Sequence, residues 1–311
     1  MGLLGAVLVS LRPRQWVKNL FVLAGVVFAQ KLLTPLVWPA LAAFALFCAL
    51  SGAVYLFNDV ADRDQDRLHP QKRLRPVAAG ALGRGPALGI ATGLLVGSLA
   101  LGFLVSRGFG LVGLAYAVLL VLYSAWLKHL VIVDVLVVAI GFVLRAVAGA
   151  LAIGVAISGW LLICTILLAL FLALGAEAGR HRPILAEYSA GLLDQMIAVV
   201  TASTVTAYAL YTMSPETVAK FHTQLLPATL PFVLYGIFRY LYLLYRRQLG
   251  GNPSELFLND RALLLNTLLW MLAVLLIIYG HAVGARLGLE QAALAATTLA
   301  AGVVQGVRRR G

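Results

Sequence analysis

The chain is 311 residues long, 62% hydrophobic and only 12% charged, with a net charge of +12. A soluble domain is nearer half apolar and a quarter charged. This composition therefore excludes a soluble globular fold, and repeated apolar runs of about 20 residues point to an all-α polytopic membrane protein. The bases flank apolar segments, which argues for lipid headgroups, membrane orientation and phosphate substrates, and against nucleic acid.

From the amino end, Arg12, Pro13 and Arg14 break the first apolar stretch, so no cleavable signal peptide is expected. Nine apolar segments follow, at about 16–33, 36–57, 87–105, 109–127, 132–153, 159–175, 193–213, 226–245 and 262–281. They predict about nine transmembrane helices in a single domain around a central cavity. A tenth, Ala-rich stretch at 286–306 spans, lies at the interface or caps the bundle. Cys48 and Cys164 both sit inside apolar runs and form neither a disulfide framework nor a metal pair. Lys31, Arg107 and Lys220 are the only bases in the connections after the first, third, fifth and seventh segments, whereas the even-numbered ones are rich in them. That bias puts the N-terminus and the even loops in the cytoplasm. The Arg308-Arg309-Arg310 tail lies outside with nine spans and inside with ten. All acids but Glu216 and Glu290 fall on the cytoplasmic side. The orientation rule does not require acids there, so that face reads as the working surface.

The densest chemistry lies between Asn58 and Gly80. Asp59, Asp62 and Asp66 recur at spacings of three and four, which places them on one helix face. Three converging carboxylates repel unless a cation is bound. Hard oxygen ligands suit Mg²⁺, which takes further ligands from water and substrate phosphates. Lys72 and Arg75 behind them are natural phosphate partners. Asn58 is placed to orient a carboxylate or a metal-bound water, and Asp64 lies off the shared face. The ordinary alternative for such a charge run is a solvated loop, but helical spacing at the end of an apolar span argues for a diphosphate site.

Asn58-Asp59-x-x-Asp62-x-x-x-Asp66 resembles the first aspartate-rich motif of the UbiA superfamily of intramembrane prenyltransferases. Further blocks narrow the resemblance: Arg12-Pro13-Arg14-Gln15-Trp16-Val17-Lys18-Asn19, His69-Pro70-x-Lys72-Arg73-x-Arg75-Pro76, and Tyr123-Ser124-x-x-Leu127-Lys128 with Asp134 and Arg145 beyond. Together with Tyr235-Gly236-x-Phe238-Arg239-Tyr240 and Asp260-Arg261, they are similar to the polyprenyl-phosphate phosphoribosyltransferase branch. The resemblance implies Mg²⁺-dependent transfer of phosphoribosyl from phosphoribosyl diphosphate to a polyprenyl phosphate for cell-wall arabinan precursors. Asp59, Asp62 and Asp66 would be the catalytic metal ligands, with Lys18, Lys72, Arg75 and Lys128 on phosphate oxygens. The lipid phosphate is already anionic, so no dedicated general base is required. The implied partners are the two substrates and membrane lipids, with a homo-oligomer left open.

The chain departs from the superfamily after the sixth segment. Most members carry a second aspartate-rich motif there, whereas Gly175 to Pro183 holds one acid, Glu177, and the bases Arg180 and Arg182. A basic loop suits a sugar phosphate better than a second metal ion. The loop is also shorter than the basic stretch of the phosphoribosyltransferase branch.

Several residues keep two readings. Arg145 inside the fifth segment is functional, or it pairs with Asp134 or another acid. Tyr123 binds substrate or anchors the interface. Arg239 faces the cavity, snorkels or pairs internally. Tyr188 and Asp194 contact the sugar, or Asp194 simply starts a helix. The scattered His69, His129 and His181 support no zinc site. Two rivals remain: an aromatic prenyltransferase using a prenyl diphosphate, and a non-catalytic lipid transporter or scaffold.

Overall fold

An apolar run in hydrocarbon must satisfy each backbone N–H and C=O internally, and a helix does so within one segment. The computed structural model describes residues 2–178, 188–247 and 253–286. Among them, every regular element is helical, and eight helices are long and apolar enough to cross a membrane. The short α1 (Leu3–Ser10) leads into a 3₁₀ segment, Pro13–Leu23, continued by α2 (Ala24–Phe28). Then come α3 (Val37–Ala61), α4 (Arg63–Leu68), α5 (Arg84–Val105), α6 (Arg107–Ala125), α7 (Val133–Ala152) and α8 (Gly159–Ala178). The second half holds α9 (Ala190–Met213), α10 (Pro215–Phe221), α11 (Leu230–Arg247), α12 (Pro253–Asn259) and α13 (Arg261–Arg286). The stretch 286–306, beyond its first residue, and the Arg308–Arg310 tail lie outside the described residues.

Neighbours in sequence are neighbours in space. α3 packs on α5, and contacts pass from α5 through α6, α7, α8, α9 and α11 to α13. The ring closes where α13 meets the first segment. Gln30 Nε2 donates to the Ile278 carbonyl at 3.0 Å, and the Tyr279 hydroxyl donates to Val27 O at 2.9 Å. Inside the ring, Phe47 meets Phe109 and Tyr116 with ring centroids 5.8 and 5.1 Å apart. On the other side of the bundle, Phe171 packs on Tyr240 at 5.1 Å. The helix starts are capped locally: Ser106 accepts from Phe109 N, Ser189 from Leu192 N, and Asp260 from Leu263 N.

The first segment departs from the α-helix that its apolar run predicts. It runs as 11 residues of 3₁₀ helix and five of α-helix. At about 2.0 and 1.5 Å of rise per residue, this still covers roughly 30 Å, a full hydrocarbon thickness. Runs of 3₁₀ beyond three or four residues are uncommon, so tertiary contacts hold this one. Asn19 and Val22 are buried, three residues apart on one line of the segment. The Val22 carbonyl presses so closely on Gly149 of α7 that a Cβ there would come within 1.7 Å of it.

Candidate active site

The acidic stretch is not one unbroken helix. α3 stops at Ala61, Asp62 takes φ −86° and ψ 3°, and α4 begins at Arg63. Hydrogen bonds from Asp62 N to Asn58 O and from Asp66 N to Asp62 O, both 2.8 Å, carry the helical path across the joint. Asp59 and Asp66 therefore stand on either side of it, each with a side chain only 2% exposed.

They meet at one cation. Arg75 Nη1 donates to Asp59 Oδ1 at 3.2 Å and to Asp66 Oδ2 at 2.7 Å. Arg12 Nη2 donates to the same Asp59 oxygen, and its guanidinium lies 4.9 Å from the centre of the Tyr55 ring. Lys72 Nζ stands 3.9 Å from Asp66 Oδ1. The loop carrying Lys72 and Arg75 is folded back by its own backbone. His69 Nδ1 accepts from Gln71 N and Lys72 N, Ala79 N bonds to Arg75 O, and Arg63 and Arg67 donate to the carbonyls of Val77 and Ala78. Burial of Val77 and Ala78 anchors the turn.

Two of the three aspartates converge. Asp62 is half-buried at the joint. Asp64 points elsewhere, 72% exposed and paired with Arg84 at 2.7 Å. Among the described residues, no three acidic, His or Cys side chains converge as a ready-made metal cage. The pair of Asp59 and Asp66 nevertheless fits Mg²⁺. Two buried, hard carboxylates already share one cationic nitrogen, and Mg²⁺ is usually held by one or two carboxylates with substrate phosphates completing the shell. Arg12 is the site residue that sequence reasoning did not single out. Its signal was its place in the Arg-Pro-Arg block ahead of the first segment.

The remaining candidates scatter around this centre. Asn58 and Lys18 are half-buried, Lys18 on the 3₁₀ segment. Tyr123 lies in the last turn of α6 and Lys128 in the next turn, both half-buried. Because α3, α5 and α6 alternate in direction, these two lie on the same membrane face as Asp59. Tyr188 is engaged elsewhere: its hydroxyl donates to Asp134 Oδ1 at 2.9 Å and accepts from the amide of Ile132, which sits at φ +69°. Burial pushes that hydroxyl above its ordinary range, and the Asp134 carboxylate adds to the effect. Arg239 pairs internally, with both carboxylate oxygens of Asp260, at 3.2 and 2.7 Å. Asp194 accepts from the Tyr245 hydroxyl at 2.7 Å. Arg145 is engaged by Asn19, Gly141 and Tyr116, and not by Asp134. Arg180, Arg182 and His181 lie outside the described residues. A cleft of about 520 Å³ separates α9 from α11, lined mainly by apolar side chains such as Ile197, Val205, Leu234 and Phe238.

Residues 19–260 match the UbiA prenyltransferase family. The decaprenyl-phosphate phosphoribosyltransferase of Corynebacterium glutamicum is 33% identical over 297 residues, covering 87% of this chain and 86% of its own. The protein of the same name from Mycobacterium tuberculosis is 30% identical over 290 residues, covering 88% and 94%. Among solved structures, a UbiA homolog from Archaeoglobus fulgidus bound to GPP and Mg²⁺ aligns with a TM-score of 0.65 at 20% identity, over 88% of this chain and 99% of its own. That likeness speaks to the fold.

Proposed function

The chain belongs to the UbiA prenyltransferase family, and we propose that it transfers the 5-phosphoribosyl group of phosphoribosyl diphosphate to a polyprenyl phosphate, releasing diphosphate. The observation that carries this reading is the buried Asp59–Asp66 pair rimmed by Arg12, Lys72 and Arg75. The decaprenyl-phosphate phosphoribosyltransferase relatives support the choice of substrates.

The reaction forms a bond between a lipid phosphate oxygen and ribosyl C1 as the bond from C1 to the diphosphate breaks. Negative charge grows on the departing oxygens. Arg12, Lys72 and Arg75 are placed to receive it, because each already reaches a carboxylate at the site and can exchange that partner for a phosphate. The Asp59 and Asp66 donors suit Mg²⁺, which when bound neutralises the leaving diphosphate. Lys18 and Lys128 supply further positive charge toward the phosphates. The lipid phosphate attacks as an anion. The excess of bases in the even-numbered loops supports a cytoplasmic face for this site, at the inner membrane of a bacterium, where a soluble sugar diphosphate is available. The product feeds arabinan precursor synthesis for the cell wall.

Purified protein given labelled phosphoribosyl diphosphate and decaprenyl phosphate should make a labelled lipid only with Mg²⁺ present. Turnover of a prenyl diphosphate with an aromatic acceptor, and none of this pair, would reject the proposal. If Asp59→Asn leaves lipid binding and flux unchanged, the protein is a transporter or scaffold instead.

A further inference from the structure

Arg145 lies in the middle of α7, 5% exposed, in a helix that crosses the membrane. Its Nε donates to Asn19 Oδ1 at 2.8 Å, Nη1 to Gly141 O at 2.8 Å, and Nη2 to the Tyr116 hydroxyl at 2.6 Å. The guanidinium also lies against the rings of Tyr116 and Phe142, at 4.7 and 5.2 Å. None of these partners carries negative charge. A charged residue at mid-membrane costs about 2.5–3.5 kcal/mol on insertion scales, and an apolar residue would fill the space without that cost. What only a guanidinium supplies is a rigid planar fork that holds several acceptors in fixed directions.

The acceptor that matters is Asn19. It is 1% exposed, and its amide nitrogen donates to Ser51 Oγ at 3.1 Å and Cys48 Sγ at 3.3 Å. Asn19 is thus held at both ends, by α3 and by α7. It sits in the 3₁₀ segment, where three residues make a turn and each neighbour is rotated by about 120°. Fixing Asn19 therefore fixes the whole segment's rotation: Trp16 and Val22 on its own line, Gln15 and Lys18 on the next. The same segment starts at Arg12, which reaches Asp59.

We infer that Arg145 is a positioning residue: through Asn19 it sets the rotation of Pro13–Leu23 and so places Arg12, at the head of that segment, on Asp59. This rests on the reaction proposed above for what Arg12 does, but the clamp itself rests on geometry alone.

The test is a kinetic comparison in the full chain of Asn19→Ala, Arg145→Met, their double variant, Asn19→Asp and Tyr116→Phe. Misplacing a substrate-positioning group by about 1 Å costs on the order of 10²-fold in rate. Asn19→Ala and Arg145→Met should each lower kcat by roughly that factor, and the double variant should fall no further than the worse single one. KM for the polyprenyl phosphate should stay put. Asn19→Asp keeps the acceptor for Arg145 and should retain most of the turnover. Tyr116→Phe removes one bond from the same guanidinium but spares the bond to Asn19, so thermal stability should fall while kcat holds. Equal kcat losses in Tyr116→Phe and Asn19→Ala, or an unaltered kcat in Asn19→Ala, would overturn the inference. If Arg145→Met does not fold, the contrast between Asn19→Ala, Asn19→Asp and Tyr116→Phe decides it. Should the wild type use a prenyl diphosphate and an aromatic acceptor instead, the function proposal falls, and the same ratios on that pair still test the clamp.

Discussion

Replacing Arg75 with glutamine removes the one cation shared by two buried carboxylates. Its Nη1 lies 3.2 Å from Asp59 Oδ1 and 2.7 Å from Asp66 Oδ2, so those oxygens are no farther apart than the sum of the two distances, about 6 Å. At an effective dielectric of about 20, two charges at that separation repel by roughly 3 kcal/mol. Arg12 still covers Asp59, and Lys72 stands 3.9 Å from Asp66. The site also opens to water on the Arg75 side, where that side chain is 27% exposed. Together these lower the net loss to about 2 kcal/mol, a fall in melting temperature on the order of 5 °C. A divalent ion bound by the same carboxylates offsets the loss, because a ligand that binds only the folded state stabilises it by mass action. Thermal unfolding in detergent, followed with and without Mg²⁺, should show Arg75→Gln less stable than wild type without the ion and more strongly stabilised by it. Equal melting temperatures without Mg²⁺, or equal gains on adding it, would refute the argument that Arg75 and the metal ion share one seat.

Gly149→Ala should abolish stable folding, since the new Cβ would press into the Val22 carbonyl at 1.7 Å; size-exclusion behaviour after membrane extraction reads this out. Tyr188→Phe removes the hydroxyl donor to Asp134, whose other oxygen is buried without a partner among the described residues. The loss should be about 1–3 kcal/mol, seen as earlier unfolding on heating. The Tyr188 hydroxyl is raised above its ordinary value on folding. Its contribution is therefore whole below about pH 10 and is lost as the pH rises further. An alkaline drop in wild-type stability that is smaller in Tyr188→Phe checks that sign.

The helical membrane fold was legible because hydropathy alone dictates it: an apolar run in hydrocarbon has few alternatives to a helix. The conformation of the first segment was not. Its 3₁₀ path depends on Arg145 holding Asn19 and on Gly149 admitting the Val22 carbonyl, and residues more than a hundred positions away leave no local pattern. The acidic site was legible in kind, with Asp59, Asp66, Lys72 and Arg75 brought together. Asp62 shares the two aspartates' helical spacing, but it sits half-buried at the joint between α3 and α4, and among the described residues none of the cations that hold Asp59 and Asp66 pairs with it. The Arg12-Pro13-Arg14 block carries no local mark of the Arg12–Asp59 contact, because a contact from the start of the first segment to the end of α3 is a tertiary one. The alternative pairing of Arg145 with Asp134 was open to rejection from sequence. On one helix, those two positions lie roughly 16 Å apart along the axis at about 1.5 Å per residue. In the structure Asp134 bonds to Tyr188 instead.

The most direct measurement counts Mn²⁺ bound by the purified protein in the presence of inorganic diphosphate, by electron paramagnetic resonance. Wild type and Asp64→Asn, whose carboxylate is exposed and paired with Arg84, should hold the ion. Asp59→Asn and Asp66→Asn should each release it. Retention of Mn²⁺ by both of those variants, or its loss in Asp64→Asn alone, would contradict a metal–diphosphate site built on Asp59 and Asp66.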